Sequence, residues 1–415
     1  MADTASIAGQ LPMEVNATPR PKTSGQENNR VSSIDVFRGL VMVLMLFEVM
    51  HLQDLSSAFP GLVPLRWLLF HTSHVAWEGC SLHDLIQPGF TFLVGTAMAF
   101  SIAARWRRGE RKKGLLLHAI WRGLILVVLG ILLRSLGPGR INVTFEDTLT
   151  QIGLGYPIVF AVALLPKRFA WMALGMVLVG YWALFALSPA PPVTFDYAAV
   201  GVPDDWPHHH DGFASRWNKN SHVAWRFDVW ILNGFPREHA FEYNAGGYAT
   251  LSFIPTMGTM FFGLIAGIWM RDLKSAADRF RRLIAVGAIA IGLGVVLAWT
   301  DVCPLVKRVW TPSFALFSSG ICLWFLVLLH WVCDLRGRDA WAKPFLVVGA
   351  NSILIYVLNG VIANPMRKAI EIACSPILQS TLRPEVVRVV SGAMTLCVLY
   401  LLMRGLYQRR WFIRI

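Results

Sequence analysis

Long apolar segments recur along this chain, and they constrain its fold more than any other feature. A helix needs about 20 mostly apolar residues to cross a hydrocarbon core of about 30 Å. Such windows lie at 34–51, 84–104, 115–136, 148–165, 170–188, 250–270, 283–300, 313–333, 344–362 and 386–406. Because backbone groups in lipid must be hydrogen-bonded internally, each window predicts a helix. We therefore predict an all-α integral membrane protein, a bundle of about ten transmembrane helices.

Composition supports the membrane class and separates the N-terminal segment from the rest. The chain is 55% hydrophobic and only 15% charged, which is too little charge for a soluble protein of this size. Residues 1–33 are polar and contain no apolar run. We predict a disordered cytoplasmic tail at 1–33 and one transmembrane domain at 34–415. Since the tail lacks the pattern of a cleavable signal peptide, the first helix is expected to act as an uncleaved membrane signal.

The formal charge of +13 is explained by topology. Most of the 38 basic residues fall in the tails and in short connections on one side of the predicted bundle. The positive-inside rule makes that side cytoplasmic, with both termini on it. Nucleic acid is therefore not an expected partner, whereas the lipid bilayer is.

The predicted connections are unequal in length. The segment 189–249, between the fifth and sixth predicted helices, is the longest and lies on the extracytoplasmic side; loops of this length usually carry function. It contains three consecutive histidines at 208–210, which cannot all face one ion, and no Cys/His zinc spacing occurs in the chain. No metal site is predicted. A disulfide among Cys80, Cys303 and Cys374 stays open.

A cluster of titratable residues lies at the mouth of the second predicted helix. It consists of His71, His74, Glu78, His83 and Asp84. Such groups are costly to bury in lipid unless they are paired or face a cavity. A histidine there could deprotonate an amine or hydroxyl, or attack a thioester itself. In the alternative interpretation, Asp84 caps the helix and the histidines lie in the wet membrane interface.

Other polar and aromatic residues have a structural and a functional interpretation. Asp35 and Arg38 stand one helical turn apart and could pair with each other or lie near a substrate. Asn351, inside an apolar helix, could hold a partner helix or line a substrate path. Four tryptophans at segment boundaries could be interfacial anchors or aromatic walls for a sugar: Trp77, Trp225, Trp230 and Trp310.

The cluster also carries a family resemblance. The pattern His74-x-x-Trp77-x-Gly79-x-x-x-x-Asp84-Leu-x-x-Pro88-x-Phe90 resembles the catalytic segment of the heparan-alpha-glucosaminide N-acetyltransferase family and its bacterial relatives. Further segments similar to the family lie at 33–40, 148–156, 217–237, 244–255, 307–313 and 349–356. The resemblance covers residues 33–415.

The resemblance implies a function and a set of site residues. It makes the chain a membrane-embedded acyltransferase with acetyl-CoA as cytoplasmic donor, an amine or hydroxyl of an extracytoplasmic sugar or glycan as acceptor, and homodimerisation as an expectation. It suggests a bacterial inner membrane. The cationic segment 105–113 could then receive coenzyme A phosphates or serve only as an orientation signal. The implied catalytic residues are His74 and Asp84, and the residues implied to bind substrate or shape the site are Asn351, Ser352, Asp35, Arg38 and Trp77.

Three departures from the family pattern bear on the identity of the acceptor more than on the reaction. Gln87 stands where an aromatic residue is usual in the animal proteins, Asn359 stands where a histidine is common, and an arginine usually found after Gln151 is missing.

Two other functions remain as alternatives. A transporter would use Asp35, Arg38, His74 and Asp84 for coupling, without covalent chemistry, and a glycan-binding membrane protein would bind the acceptor without turnover.

Overall fold

The computed structural model describes residues 31–59, 61–137, 139–378 and 380–413, and this part of the chain is helical. The helices are α1 (Ser32–Leu46), α2 (Leu55–Ala58), α3 (Val63–His71), α4 (Ile86–Arg107), α5 (Lys112–Leu136), α6 (Thr148–Ala163), α7 (Arg168–Ala186), α8 (Val223–Leu232), α9 (Phe253–Asp272), α10 (Ala276–Trp299), α11 (Pro312–Leu329), α12 (Lys343–Gly349), α13 (Ser352–Leu358), α14 (Asn364–Leu378) and α15 (Pro384–Gln408). The only β pairing in the described residues is one isolated bridge between Glu78 and Val306. The predicted all-α, multi-pass membrane fold is confirmed.

The number of full-length spans is smaller than the number of apolar windows. Seven helices of the described residues are long and apolar enough to cross a membrane, or eight if the pair Ala340–Gly349 and Ser352–Pro376, bent by 66°, counts as one span. The window at 344–362 is thus a broken helix, and the window at 148–165 forms the shorter helix α6. The window at 34–51 ends early because α1 tightens into a 3₁₀ turn at Phe47–Met50.

Two helices form the centre of the bundle. The apolar window of α9 is 78% buried inside the protein and that of α4 is 61% buried, whereas that of α10 is only 22% buried. A Cβ at Gly95 of α4 would lie 2.0 Å from Met260 O, and a Cβ at Gly263 of α9 would lie 1.9 Å from Phe92 O. The glycines therefore let the two backbones touch, as small residues commonly do between membrane helices.

The long connection between α7 and α9 is folded. It contains α8 and packs aromatic side chains into a core that joins the end of α7 to the segments around residues 77 and 306: Trp77, Tyr181, Phe185, Trp217, Cys303 and Val306. Trp77 and Trp310 are 0% and 2% exposed, so the anchor interpretation is wrong for both. Trp230, which is 71% exposed, is available to an interface.

The predicted tail at 1–33 lies almost wholly outside the described residues. Helix α1 begins at Ser32, two residues before the predicted domain boundary. Its first turn is held by Asp334, whose carboxylate accepts hydrogen bonds from the Ser33 amide at 3.3 Å and hydroxyl at 2.5 Å. The disorder of the tail stays a prediction.

Candidate active site

His74 lies in the connection between α3 and α4, which neighbouring segments hold in place. The Gly79 amide donates to Leu305 O at 2.9 Å, and Arg308 donates to Val75 O at 3.2 Å. Gly79 has a φ of 109°, a backbone conformation that favours glycine. The connection is thereby fixed against the segment that precedes α11.

Asp84 orients the His74 ring. Its Oδ1 lies 2.8 Å from His74 Nδ1, and its Oδ2 accepts hydrogen bonds from the Ser81 amide and hydroxyl, both at 3.0 Å, and from the Val75 amide at 3.2 Å. The side chain of Asp84 is fully buried, and α4 has no side-chain cap. The interpretation of Asp84 as a helix cap is therefore wrong: its acceptor capacity is used by the connection that carries His74.

Lys307 completes this group and was not singled out by the sequence analysis. Its Nζ lies 3.2 Å from Asp84 Oδ1 and 3.0 Å from His74 Nδ1, and its side chain is 5% exposed. Burial lowers the pKa of Lys307 below its ordinary value, and the charge of Asp84 opposes this effect. The only signal in the sequence was the position of Lys307 in the family-like segment 307–313, since 233 residues separate it from His74.

The hydrogen bonds determine which nitrogen of His74 can act as a base. A contact of 2.8 Å between Nδ1 and a carboxylate oxygen requires a proton between them, so the imidazole donates from Nδ1 to Asp84. Lys307 then pairs with Asp84, because Nδ1 has no lone pair to offer it. The lone pair of His74 is left on Nε2, as in the orientation of a histidine by a carboxylate in hydrolases.

Two cavities meet at His74. The larger, of about 510 Å³, is bounded by α1, α4, α5, α6 and the segments that contribute Tyr248 and Lys307; the smaller, of about 370 Å³, is bounded by residues 47–53 and 72–74. The residues common to both are Glu48, His74, His83, Asn359 and Asn364. Further polar groups face only the larger cavity: Gln87, Arg134, Glu146, Asp147, Thr148, Tyr248, Lys307 and Tyr356.

The broken span places an amide at this junction. A π-helical segment, Asn359–Ala363, follows α13, and such segments frequently occur at functional sites. The Asn359 side chain borders both cavities, and its Oδ1 is buried without a hydrogen-bond partner among the described residues. Gln87 also lines the larger cavity, so two of the three departures from the family pattern, Gln87 and Asn359, lie at the site.

The remaining predicted site residues are not brought to His74. Asp35 and Arg38 form an ion pair at 3.2 Å near the start of α1, about 20 Å from Glu48 at 1.5 Å per residue. Asn351, at the break between α12 and α13, donates to Trp411 O at 2.9 Å and accepts from the Ile413 amide at 2.9 Å. Ser352 is the first residue of α13. These residues and Trp77 do not line either cavity, and their roles in binding stay predictions.

The described residues contain one potential metal-binding group and no disulfide. Glu48, His74 and His83 form the one group among the described residues that could hold an ion, with ligand atoms no more than 4.8 Å apart. His208 and His209 pack instead on Trp206 and Tyr197. All six cysteines are free. Burial, followed by the charge of Asp84, raises the pKa of Cys80 to about 12, so its thiol is a poor nucleophile.

Comparison with known proteins agrees with the sequence motifs. No protein-family model matches the chain. The chain is 27% identical over 394 residues to the heparan-alpha-glucosaminide N-acetyltransferase of Mus musculus, covering 84% of this chain and 56% of the mouse protein. It is 25% identical over 380 residues to the protein of that name from Homo sapiens, covering 81% of this chain and 53% of the human protein.

The extent of the match limits what it transfers. The chain spans about half the length of the curated relatives it matches. Within that span, the similarity runs through most of this chain. The resemblance predicted from the motifs is thereby confirmed: over most of its length this chain is similar to the heparan-alpha-glucosaminide N-acetyltransferases.

Proposed function

We propose that the protein is a membrane-embedded acyltransferase that moves an acetyl group from cytoplasmic acetyl-CoA to an amine or hydroxyl of an extracytoplasmic sugar or glycan. The observation that carries the proposal is the hydrogen-bonded group of His74, Asp84 and Lys307 at the junction of two cavities. The names of the relatives support the reaction class, and the polar lining of the larger cavity suits a sugar.

The group can perform general base catalysis. As the acceptor attacks the thioester carbonyl, His74 Nε2 takes its proton while Nδ1 stays bonded to Asp84. The new C–N or C–O bond forms, the C–S bond breaks, and the imidazolium returns the proton to the thiolate of coenzyme A. A route through an acyl-imidazole on Nε2 uses the same orientation by Asp84. In either route Lys307 holds Asp84 in place.

Two cavities at one histidine suit a reaction with two substrates. In the proposal, the donor thioester reaches His74 through the helical bundle, and the acceptor enters from the other side of the membrane. Helix α4 begins next to Asp84 and ends at Arg107, a distance of about 33 Å, so its basic end is one bilayer away from His74. By the positive-inside rule that basic end and both termini are cytoplasmic, in a bacterial inner membrane.

The test is release of free coenzyme A from acetyl-CoA by the purified protein, with glucosamine and simple glycans as acceptors. His74→Ala is expected to lower acceptor-dependent release by about 1,000-fold or more, since general base catalysis contributes about 10²–10⁴-fold and orientation adds to it. The matched control is His239→Ala, because His239 is 85% exposed and lies in the long connection. The control is expected to retain the native rate.

Other outcomes contradict the proposal. Equal release by the native protein and by His74→Ala would remove His74 from the reaction. If the native protein neither releases coenzyme A nor gains thermal stability from it, the donor assignment fails. Uptake of a polar solute by sealed vesicles without an acyl donor would then support a transporter, and acceptor binding without turnover would support a glycan-binding protein.

A further inference from the structure

Glu48 places a carboxylate opposite the reactive histidine. It lies in the 3₁₀ turn that ends α1, and the chain leaves this turn through His51, which has a φ of 50°. Its side chain is exposed to both cavities and forms no hydrogen bond or ion pair with the described residues. An intramembrane carboxylate without a protein partner is a candidate for ligand binding.

Three groups converge beside this carboxylate. Ligand atoms of Glu48, His74 and His83 lie within 4.8 Å of one another, and the two imidazole rings have centroids 4.5 Å apart. His74 offers Nε2, because Nδ1 is bonded to Asp84. The side chain of His83 is 2% exposed, and its Nδ1 is buried without a hydrogen-bond partner in the described part of the chain.

The spacing suits an atom that donates hydrogen bonds. Three atoms no more than 4.8 Å apart have a common centre no more than about 2.8 Å from each, which is within hydrogen-bond distance. Zinc would need three ligand atoms at about 2.0–2.1 Å from one centre, and it could use no more than one lone pair from each of these groups. A primary ammonium presents three N–H donors at one nitrogen, as many as the converging groups can accept.

The charges at the junction favour a cation. Asp84 is matched by Lys307 at 3.2 Å, whereas the carboxylate of Glu48 forms no ion pair with the described residues. An alcohol would leave that carboxylate uncompensated, whereas an ammonium would neutralise it.

We propose that Glu48 is the residue that binds the acceptor as a primary ammonium and selects amines over hydroxyls. The proposal rests on the acyltransferase function proposed above and specifies its acceptor. A bound ammonium must lose two protons before it becomes an amide nitrogen, whereas an alcohol loses one. The site holds two separate acceptors for them, the Glu48 carboxylate and His74 Nε2.

The reaction then balances as follows. The ammonium gives its first proton to Glu48, which passes it to water in the cavity. The free amine attacks the thioester carbonyl, and as the C–N bond forms His74 Nε2 takes the second proton. The C–S bond breaks, and His74 gives that proton to the coenzyme A thiolate. The products are the amide, coenzyme A and one proton.

The experiment compares Glu48→Gln with the native protein on two acceptors that differ only in this group, glucosamine and glucose. We expect Glu48→Gln to lower kcat/KM for glucosamine by about 100-fold and for glucose by less than about 3-fold. The control is Glu242→Gln, an exposed carboxylate in the long connection whose removal changes the net charge equally. It is expected to match the native protein on both acceptors.

Binding measurements keep the inference testable without turnover. Glucosamine is expected to raise the Tm of the native protein and not that of Glu48→Gln, whereas Glu48→Asp should retain part of the shift. Retained glucosamine binding and turnover in Glu48→Gln would overturn the inference while leaving the acyltransferase function intact. Inhibition by EDTA with recovery by Zn²⁺ would also overturn it, because a metal ion would then occupy the junction. No coenzyme A release by the native protein, with glucosamine binding that depends on Glu48, would refute the proposed reaction alone.

Discussion

Polar residues lie at two ends of the bundle, and the two ends differ in how the hydrogen-bonding groups of these residues are satisfied. At the Asn351 end, the Asn351 side chain forms hydrogen bonds with the backbone of residues 411 and 413. The Asp334 carboxylate forms hydrogen bonds with Ser33 and His330. At the His74 end, Glu48, His83 and Asn359 face cavities with acceptor atoms that have no partner among the described residues. Polar groups in an apolar bundle are costly in both places. Their partners distinguish a structural role from a binding role.

Replacement of Lys307 is expected to have the largest effect on activity and stability at the His74 end. Lys307→Met leaves the buried Asp84 carboxylate without its cation, which costs about 3–5 kcal/mol for a broken buried pair, and frees Asp84 to move away from His74. We expect acetyl transfer to fall about 100-fold and Tm to fall with it. Coenzyme A release and thermal unfolding in detergent measure the two effects.

Lys219 is a matched control for that variant. Its side chain is also largely buried, but it lies over the Trp206 ring at 4.9 Å, in the long connection and away from both cavities. Lys219→Met is expected to lower Tm without lowering the rate per folded molecule. Equal activity losses in the two lysine variants would mean that Lys307 acts on activity only through the stability of the fold, and not through its contact with Asp84.

A pair of asparagine variants tests the comparison directly. Asn351→Ala removes two partly buried hydrogen bonds and is expected to cost about 1–3 kcal/mol of stability while activity per folded molecule stays within about 3-fold. Asn359→Ala removes an amide oxygen that has no hydrogen-bond partner among the described residues, and should raise the KM for the acceptor with little change in Tm. The reverse pattern would support the role in substrate binding that the resemblance implied for Asn351.

The smallest expected effect is a pH dependence outside the membrane spans. Burial raises the pKa of Asp228 in α8 to about 7, and its carboxylate accepts from the Thr250 amide at 3.0 Å. Between about pH 4 and 7 the folded state keeps a proton that the unfolded state has lost, so stability falls as the pH rises through this range. Asp228→Asn is expected to remove part of that fall, by about 2 °C or more in Tm at pH 8. Identical pH profiles of Tm would contradict it.

The sequence predicted the positions of the membrane spans more accurately than their lengths and breaks. Apolar windows located every span because burial in lipid requires an apolar helix. They could not reveal that the window at 344–362 bends by 66°, since the hydrogen bonds of Asn351 at the break join it to residues 411 and 413, far along the chain. The early end of α1 at Leu46 had one signal, the carboxylate of Glu48 inside an apolar window.

The site was predictable where its residues are close in sequence. His74 and Asp84 stand 10 residues apart in one motif, and their hydrogen bond agrees with the orienting role inferred for Asp84. Lys307 reaches the same group from 233 positions away, and no local pattern indicates such a contact. Asp35, Arg38 and Asn351 belong to family-like motifs, but a motif does not specify at which end of a bundle its side chains lie.

The contact between α4 and α9 has a consequence for how such a protein can change over time. At Gly95 and Gly263 there is no room for a single methyl group, so these positions tolerate almost no substitution. The cavity walls are made instead of side chains from α1, the broken span and the connections, which can be exchanged without moving that frame. New acceptor preferences can therefore evolve, or be engineered, at positions such as Gln87 and Asn359 while the central helix pair remains invariant.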